Sequence, residues 1–131
     1  MAAMICTLIA QLKGLIMSNY TYNAKITRVV DGDTVDAIVD LGFNVKMNIR
    51  FRLEGYDSPE TYRPKNKQEL AKGREATKAL IDMIGGAFVD IESSKHGKYR
   101  WLGTIYQLGE TVSVNQKMID MGHVKEKDNE S

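Results

Sequence analysis

Hydrophobic and polar positions alternate most strictly over residues 45–53, VKMNIRFRL. Val45, Met47, Ile49, Phe51 and Leu53 fall on one face, and Lys46, Asn48, Arg50 and Arg52 on the other. This is the period of a half-buried strand with a basic outer face. Residues 22–30 (YNAKITRVV) and 34–40 (TVDAIVD, with Val35, Ala37 and Val39 on one face) predict two earlier strands, separated by the turn signal Asp31-Gly32-Asp33. Leu41 to Asn44 reads as the hairpin loop before the third strand. Past Gly55 and Pro59 the period becomes helical over 66–84, with Leu70, Thr77, Leu80, Ile81 and Ile84 on one face. Asn66 is placed to cap that helix and Gly85-Gly86 to end it. Gly73, which costs about 1 kcal/mol against Ala in a helix interior, marks close packing. Residues 87–92 and 101–106 predict strands, and 113–121 a short helix ended by Gly122. The expectation is a mainly β, α+β fold: a five-stranded OB-fold barrel with a helix after the third strand and a short C-terminal helix.

Length and composition add bounds. The chain has 131 residues, 43% hydrophobic and 27% charged, which fits one globular domain without disulfide staples. Cys6 stands alone, so no internal disulfide and no Cys-rich zinc site can form. A formal net charge of +1 gives no global pull toward polyanions, so any basic surface must come from local clustering. The domain is expected over 20–125, with 126–131 a charged, disordered tail. Residues 1–19 read as an N-terminal extension, dispensable upstream of a natural start at Met17, with an appended amphipathic helix or a poor signal peptide as the alternatives. Their apolar run is broken by Gln11, Lys13 and Gly14, shorter than the roughly 20 residues of a membrane span, and not built as a secretory signal. The compartment, cytoplasmic or secreted, stays open, and the chain is read as a monomer.

Carboxylates and arginine concentrate in two segments, Val30-Asp31-Gly32-Asp33-Thr34 and Arg52 to Glu60 (RLEGYDSPE). A third, basic segment, Lys95 to Arg100, follows. Hydrolysis of a phosphodiester needs its charge neutralised, for which the arginine fork is suited, and a water oriented or deprotonated, which suits a carboxylate. Asp33 and Asp57, at turns beside strands, could share a hard cation such as Ca²⁺, which takes six to eight oxygen ligands. His96 and His123 form no cluster that would favour zinc. Taken singly each signal is bland: Asp-Gly-Asp is a common turn, and paired arginines on a strand usually line a solvated face.

In order and spacing together, these motifs resemble the staphylococcal nuclease (thermonuclease) family. Val30 to Thr34 is similar to its Val-Asp-Gly-Asp-Thr, and Arg52 to Glu60 to its Arg-Leu-x-Gly-Ile-Asp-x-Pro-Glu, with Tyr56 in the aliphatic position. Val114-Asn115-Gln116 through Gly122 resembles its short Gly-terminated helix. Lys98-Tyr99-Arg100 resembles its Lys-Tyr-Gly-Arg without the glycine. The likeness implies a nuclease acting on DNA or RNA and leaving 3′-phosphate ends. It implies that Asp33, Asp57 and the Ser58 carbonyl hold Ca²⁺, with Asp31 and Thr34 in support. Glu60 would activate water, Arg52 and Arg100 would stabilise the phosphate, and Lys98 and Tyr99 would contact a neighbouring phosphate. The alternative is a non-catalytic OB-fold module that binds nucleic acid or protein. Such modules characteristically lose the acidic ligands and the glutamate that this chain retains.

Overall fold

β-Branched and aromatic residues carry the chain into five strands, which close into a barrel in the order β1-β2-β3-β5-β4. The computed structural model describes residues 20–94 and 101–125. Its elements are β1 (Tyr20–Asp31), β2 (Thr34–Asp40), β3 (Lys46–Leu53), α1 (Lys67–Ile84), β4 (Phe88–Ser94), β5 (Trp101–Gln107) and α2 (Val114–Asp120). Neighbours are antiparallel except β3 and β5, which pair in parallel over Phe51–Leu53 against Trp101–Gly103. This is the OB-fold barrel expected from the sequence, with a helix after the third strand and a short helix after the fifth.

The barrel interior is filled by the alternate residues of its strands. Val35, Ala37 and Val39 of β2 point inward with Ala24, Ile26, Val89, Ile91 and Ile105. α1 packs against β1, and its Ala76, Leu80 and Ile84 join the barrel core. Asn66 caps the helix through a side-chain oxygen that accepts from the Glu69 N–H at 2.8 Å, and the Gly85 N–H donates to the Ile81 carbonyl where it stops. Its buried stripe is Gly73, Ala76, Leu80 and Ile84, at spacings of three and four. Ile81, expected on that face, is 47% exposed. The actual stripe runs through two small residues that carry little weight in a hydrophobic pattern.

The third strand divides in two. Phe51 and Leu53 are buried as expected, but Val45 and Met47 are exposed. The cause is topological: β5 reaches β3 only at Phe51–Leu53, so Lys46–Arg50 pairs with β2 alone and runs past the barrel. At the tip of this hairpin Phe43 and Asn44 hold φ of 54° and 62°, in the left-handed region.

α2 is anchored by a buried amide. Ser113 caps it, accepting from the Gln116 N–H at 3.0 Å. Asn115 Oδ1 accepts from the Ile105 N–H at 3.0 Å, and Nδ2 donates to the Glu54 and Gly103 carbonyls at 2.8 and 3.0 Å. One side chain thus joins α2, β5 and the turn after β3. Asn115→Ala strands these buried backbone groups and is expected to cost about 3 kcal/mol. In urea denaturation this appears as a lower midpoint at constant m-value. Asn115→Asp, similar in shape but lacking the donors, should lose nearly as much.

Candidate active site

The two acidic segments are adjacent in sequence to different strands, yet the fold brings them together over α1. The β1–β2 turn places Asp33 and the loop after β3 places Asp57. A Cβ on Gly32 would stand 2.7 Å from the Ala76 Cβ and 2.8 Å from the Ser58 Cβ, so only glycine lets the first turn settle against both helix and loop. A Cβ on Gly73 would stand 2.8 Å from the Pro59 carbonyl oxygen and 2.7 Å from Thr61 Cγ2. The helix and the Pro59–Thr61 backbone therefore approach at a distance that excludes a side chain, the close packing that a helix-interior glycine signals.

Hydrogen bonds then fix the loops. Asp33 is nearly buried; its Oδ1 accepts from the Thr34 hydroxyl at 2.9 Å and its Oδ2 from the Ser58 N–H at 3.1 Å. The Asp33 carbonyl accepts from the Leu53 N–H at 2.7 Å. Tyr56 is buried and donates its hydroxyl to the Gly32 carbonyl at 2.6 Å. Burial, and after it the negative charge of Asp33, pushes the Tyr56 phenol up from its ordinary value, so it stays a donor. Asp31 accepts from the Thr61 hydroxyl at 2.9 Å, which ties the end of β1 to the residue after Glu60. Late in the chain, the Lys125 N–H donates to the Asp57 carbonyl at 2.6 Å and its Nζ lies 3.7 Å from Glu60 Oε1.

The charged heads converge on Arg52. Its Nη2 contacts Asp57 Oδ1 and lies 3.8 Å from Asp33 Oδ2. The guanidinium is partly exposed, which leaves it donors to offer outward. Arg50, two residues earlier on the strand, is instead engaged by Asp36 of β2 through a two-point contact at 2.7 and 3.1 Å. That bond holds the Asp36 carboxyl below its usual range. Glu60 is about half exposed, so its carboxylate is open to water. Asp33 and Asp57 thus meet at Arg52, Lys125 links the Asp57 backbone to Glu60, and Ser58, Thr34 and Asp31 are hydrogen-bonded into the same loops. Lys98, Tyr99 and Arg100 lie outside the described residues, as do 1–19 and 126–131.

Among the described residues no three His, Cys, Asp or Glu side chains gather at metal-binding range. Asp33 and Asp57 nonetheless meet at one guanidinium nitrogen and offer only hard oxygen donors. That donor set fits Ca²⁺, whose remaining ligands are ordinarily carbonyls and waters. Sequence reasoning missed the locking role of Tyr56, visible only as an odd residue in an aliphatic position, and the contacts of Lys125, for which the sequence carries no signal.

Comparison with known proteins adds two findings. The model of the family described as staphylococcal nuclease homologue matches residues 50–130. The chain is also similar to Protein ParB of Escherichia coli, at 31% identity over 106 residues, covering 75% of this chain and 53% of that protein. It thus spans about half the length of this curated relative. No helix among the described residues is long and apolar enough to cross a membrane.

Tyr56→Phe removes the bond to Gly32 and should lower stability by about 1 kcal/mol. Because the folded phenol ionises at higher pH than the unfolded one, the stability linked to it is fully present below about pH 10 and is lost as the pH rises further. Urea midpoints measured from about pH 9 to pH 11 should therefore decline less steeply in Tyr56→Phe than in the wild type.

Proposed function

Since the chain belongs to the staphylococcal nuclease homologue family, we propose that it is a Ca²⁺-dependent nuclease hydrolysing phosphodiester bonds of DNA or RNA. The observation that carries this reading is the meeting of Asp33 and Asp57 at Arg52, with the half-exposed Glu60 joined to Asp57 through Lys125. Asp33 and Asp57 would hold Ca²⁺ through their carboxylates, and Ser58 through its carbonyl. When bound, Ca²⁺ supplies positive charge that neutralises the phosphate and the charge that develops on it.

The remaining roles belong to the chain itself. Arg52 presents its outward N–H groups to a phosphate oxygen, and the fixed fork favours the trigonal-bipyramidal transition state over water's weaker solvation. Glu60 orients a water and takes its proton as the new P–O bond forms. The 5′-oxygen leaves as the old bond breaks, acquires a proton, and a 3′-phosphate end remains. Thr34, together with the Ser58 N–H, holds the Asp33 carboxylate, and Asp31, through Thr61, steadies the backbone beside Glu60. Arg100 is the proposed second phosphate clamp, and Lys98 and Tyr99 the contacts to a neighbouring phosphate, on the strength of their motif.

Purified protein should cleave nucleic acid with Ca²⁺ present, stop when the ion is chelated and resume when it is restored, with circular dichroism unchanged throughout. Unfolding on chelation would assign the ion a structural role instead. Glu60→Gln should lower kcat by at least about 100-fold while oligonucleotide binding stays within a few-fold of wild type. Wild-type kcat in that variant would remove Glu60 from water activation. Salt-sensitive binding by the wild type without cleavage, at any Ca²⁺ concentration, would make the chain a binding module.

A further inference from the structure

A carboxylate that orients water has to be held still. Glu60 stands on a loop with its side chain 44% exposed. Left free, so flexible a side chain samples many rotamers, few of which aim an oxygen at a water in line with a phosphorus. We propose that Lys125 is a positioning residue of the site, which fixes the Glu60 carboxylate relative to Asp57. This rests on the nuclease reading.

The end of α2 delivers Lys125 to this place. There the Gly122 N–H donates to the Ile119 carbonyl and the His123 N–H to the Met118 carbonyl, each at 3.0 Å, with Gly122 at φ 80°. This paired closure, with a glycine in the left-handed region, satisfies the last carbonyls and turns the chain away from the helix. Val124 then packs against the core, and the Lys125 N–H donates to the Asp57 carbonyl at 2.6 Å. The backbone of Lys125 is therefore held before its side chain makes any contact. From that anchor Nζ comes to 3.7 Å from Glu60 Oε1. The separation is longer than a hydrogen bond, so the ammonium attracts the carboxylate without claiming its lone pairs, which stay available to water. A half-exposed pair of this kind adds little to stability, and its effect lies in where it keeps the carboxylate. One residue thus closes the Asp57–Glu60 segment into a ring, by a backbone bond at one end and an ion pair at the other.

The test uses Lys125→Met, which keeps the stem and the backbone N–H but removes the charge, and Lys125→Arg, which keeps the charge. Each is made in the wild type and in a Glu60→Gln background, and cleavage is measured with Ca²⁺ present. Lys125→Met is expected to lower kcat about tenfold, with KM and oligonucleotide affinity by fluorescence anisotropy within about twofold of wild type. Lys125→Arg should recover kcat to within about threefold. In the Glu60→Gln background Lys125→Met should lower the residual kcat by less than about twofold, because the carboxylate it positions is no longer there. In the metal-free protein, the NMR order parameter of the Glu60 side chain should fall in Lys125→Met and hold in Lys125→Arg. Melting temperatures within about 2 °C of wild type are expected for both, as for an exposed ion pair. Wild-type kcat in Lys125→Met overturns the proposal. So does a tenfold loss that persists beside Glu60→Gln or falls on KM, either of which would put the ammonium on the phosphate instead. A wild type that does not cleave defeats the nuclease reading, and the order parameter then decides alone whether Lys125 holds Glu60. A wild type that cleaves beside an unaltered Lys125→Met defeats the positioning role alone.

Discussion

Everything at the acidic surface depends on how closely two loops can settle onto one helix. Asp33 and Asp57 repel, and bringing them together over α1 needs geometry that does not relax. Gly32 and Gly73 supply it by having no Cβ where Ala76, Ser58, Pro59 and Thr61 need the space. The repulsion is then offset locally. Arg52 spans both carboxylates, and Asp33 accepts from a hydroxyl and a backbone N–H. A nearly buried carboxylate is tolerable only with such partners. Moving either loop outward by a methyl group's radius would loosen several of these bonds at once.

The second theme is closure from a distance. β1, β3 and the residues after α2 are far apart in sequence, yet each ends at the same surface. Tyr56 reaches back to Gly32, Thr61 to Asp31, and Lys125, beyond α2, to Asp57 and Glu60. Asn115 does comparable work on the barrel side, holding α2 so that the segment carrying Lys125 arrives where it does. The surface charges are consequently placed by buried or backbone bonds more than by one another, which suits a site that must meet a charged ligand without rearranging.

Much of this was legible in the sequence, for physical reasons. Period-two patterns read well in β2 because both its neighbours belong to the barrel, so Val35, Ala37 and Val39 all found the interior. The same rule over-reached in β3: alternation reports which residues share a face, not how far the partner strand extends, and Val45 and Met47 proved exposed. In α1, Ile81 drew attention by size while Gly73 and Ala76 carried the contact, since close packing selects small residues that hydrophobic patterns discount. Asp33, Asp57, Arg52 and Glu60 could be grouped from the sequence only through the resemblance of their motifs to one family, since each signal alone is bland; the structure brings Asp33 and Asp57 to Arg52. The bonds of Tyr56 and Lys125 were not legible, because a hydrogen bond to a distant carbonyl leaves no local trace.

The projecting half of the β2–β3 hairpin carries a consequence for the molecule in bulk. From Lys46 to Arg50 one edge of β3 has no strand partner among the described residues, and Leu41, Phe43, Val45 and Met47 are apolar and in solvent beside it. A long apolar edge of this kind is a template on which another chain can add a strand, the first step of aggregation. Here the edge is interrupted by the charges of Lys46 and Arg50, and the second of these is held in place by Asp36. Charges placed along such an edge oppose the addition of another strand, a physical consequence of the basic strand face that is unrelated to phosphate.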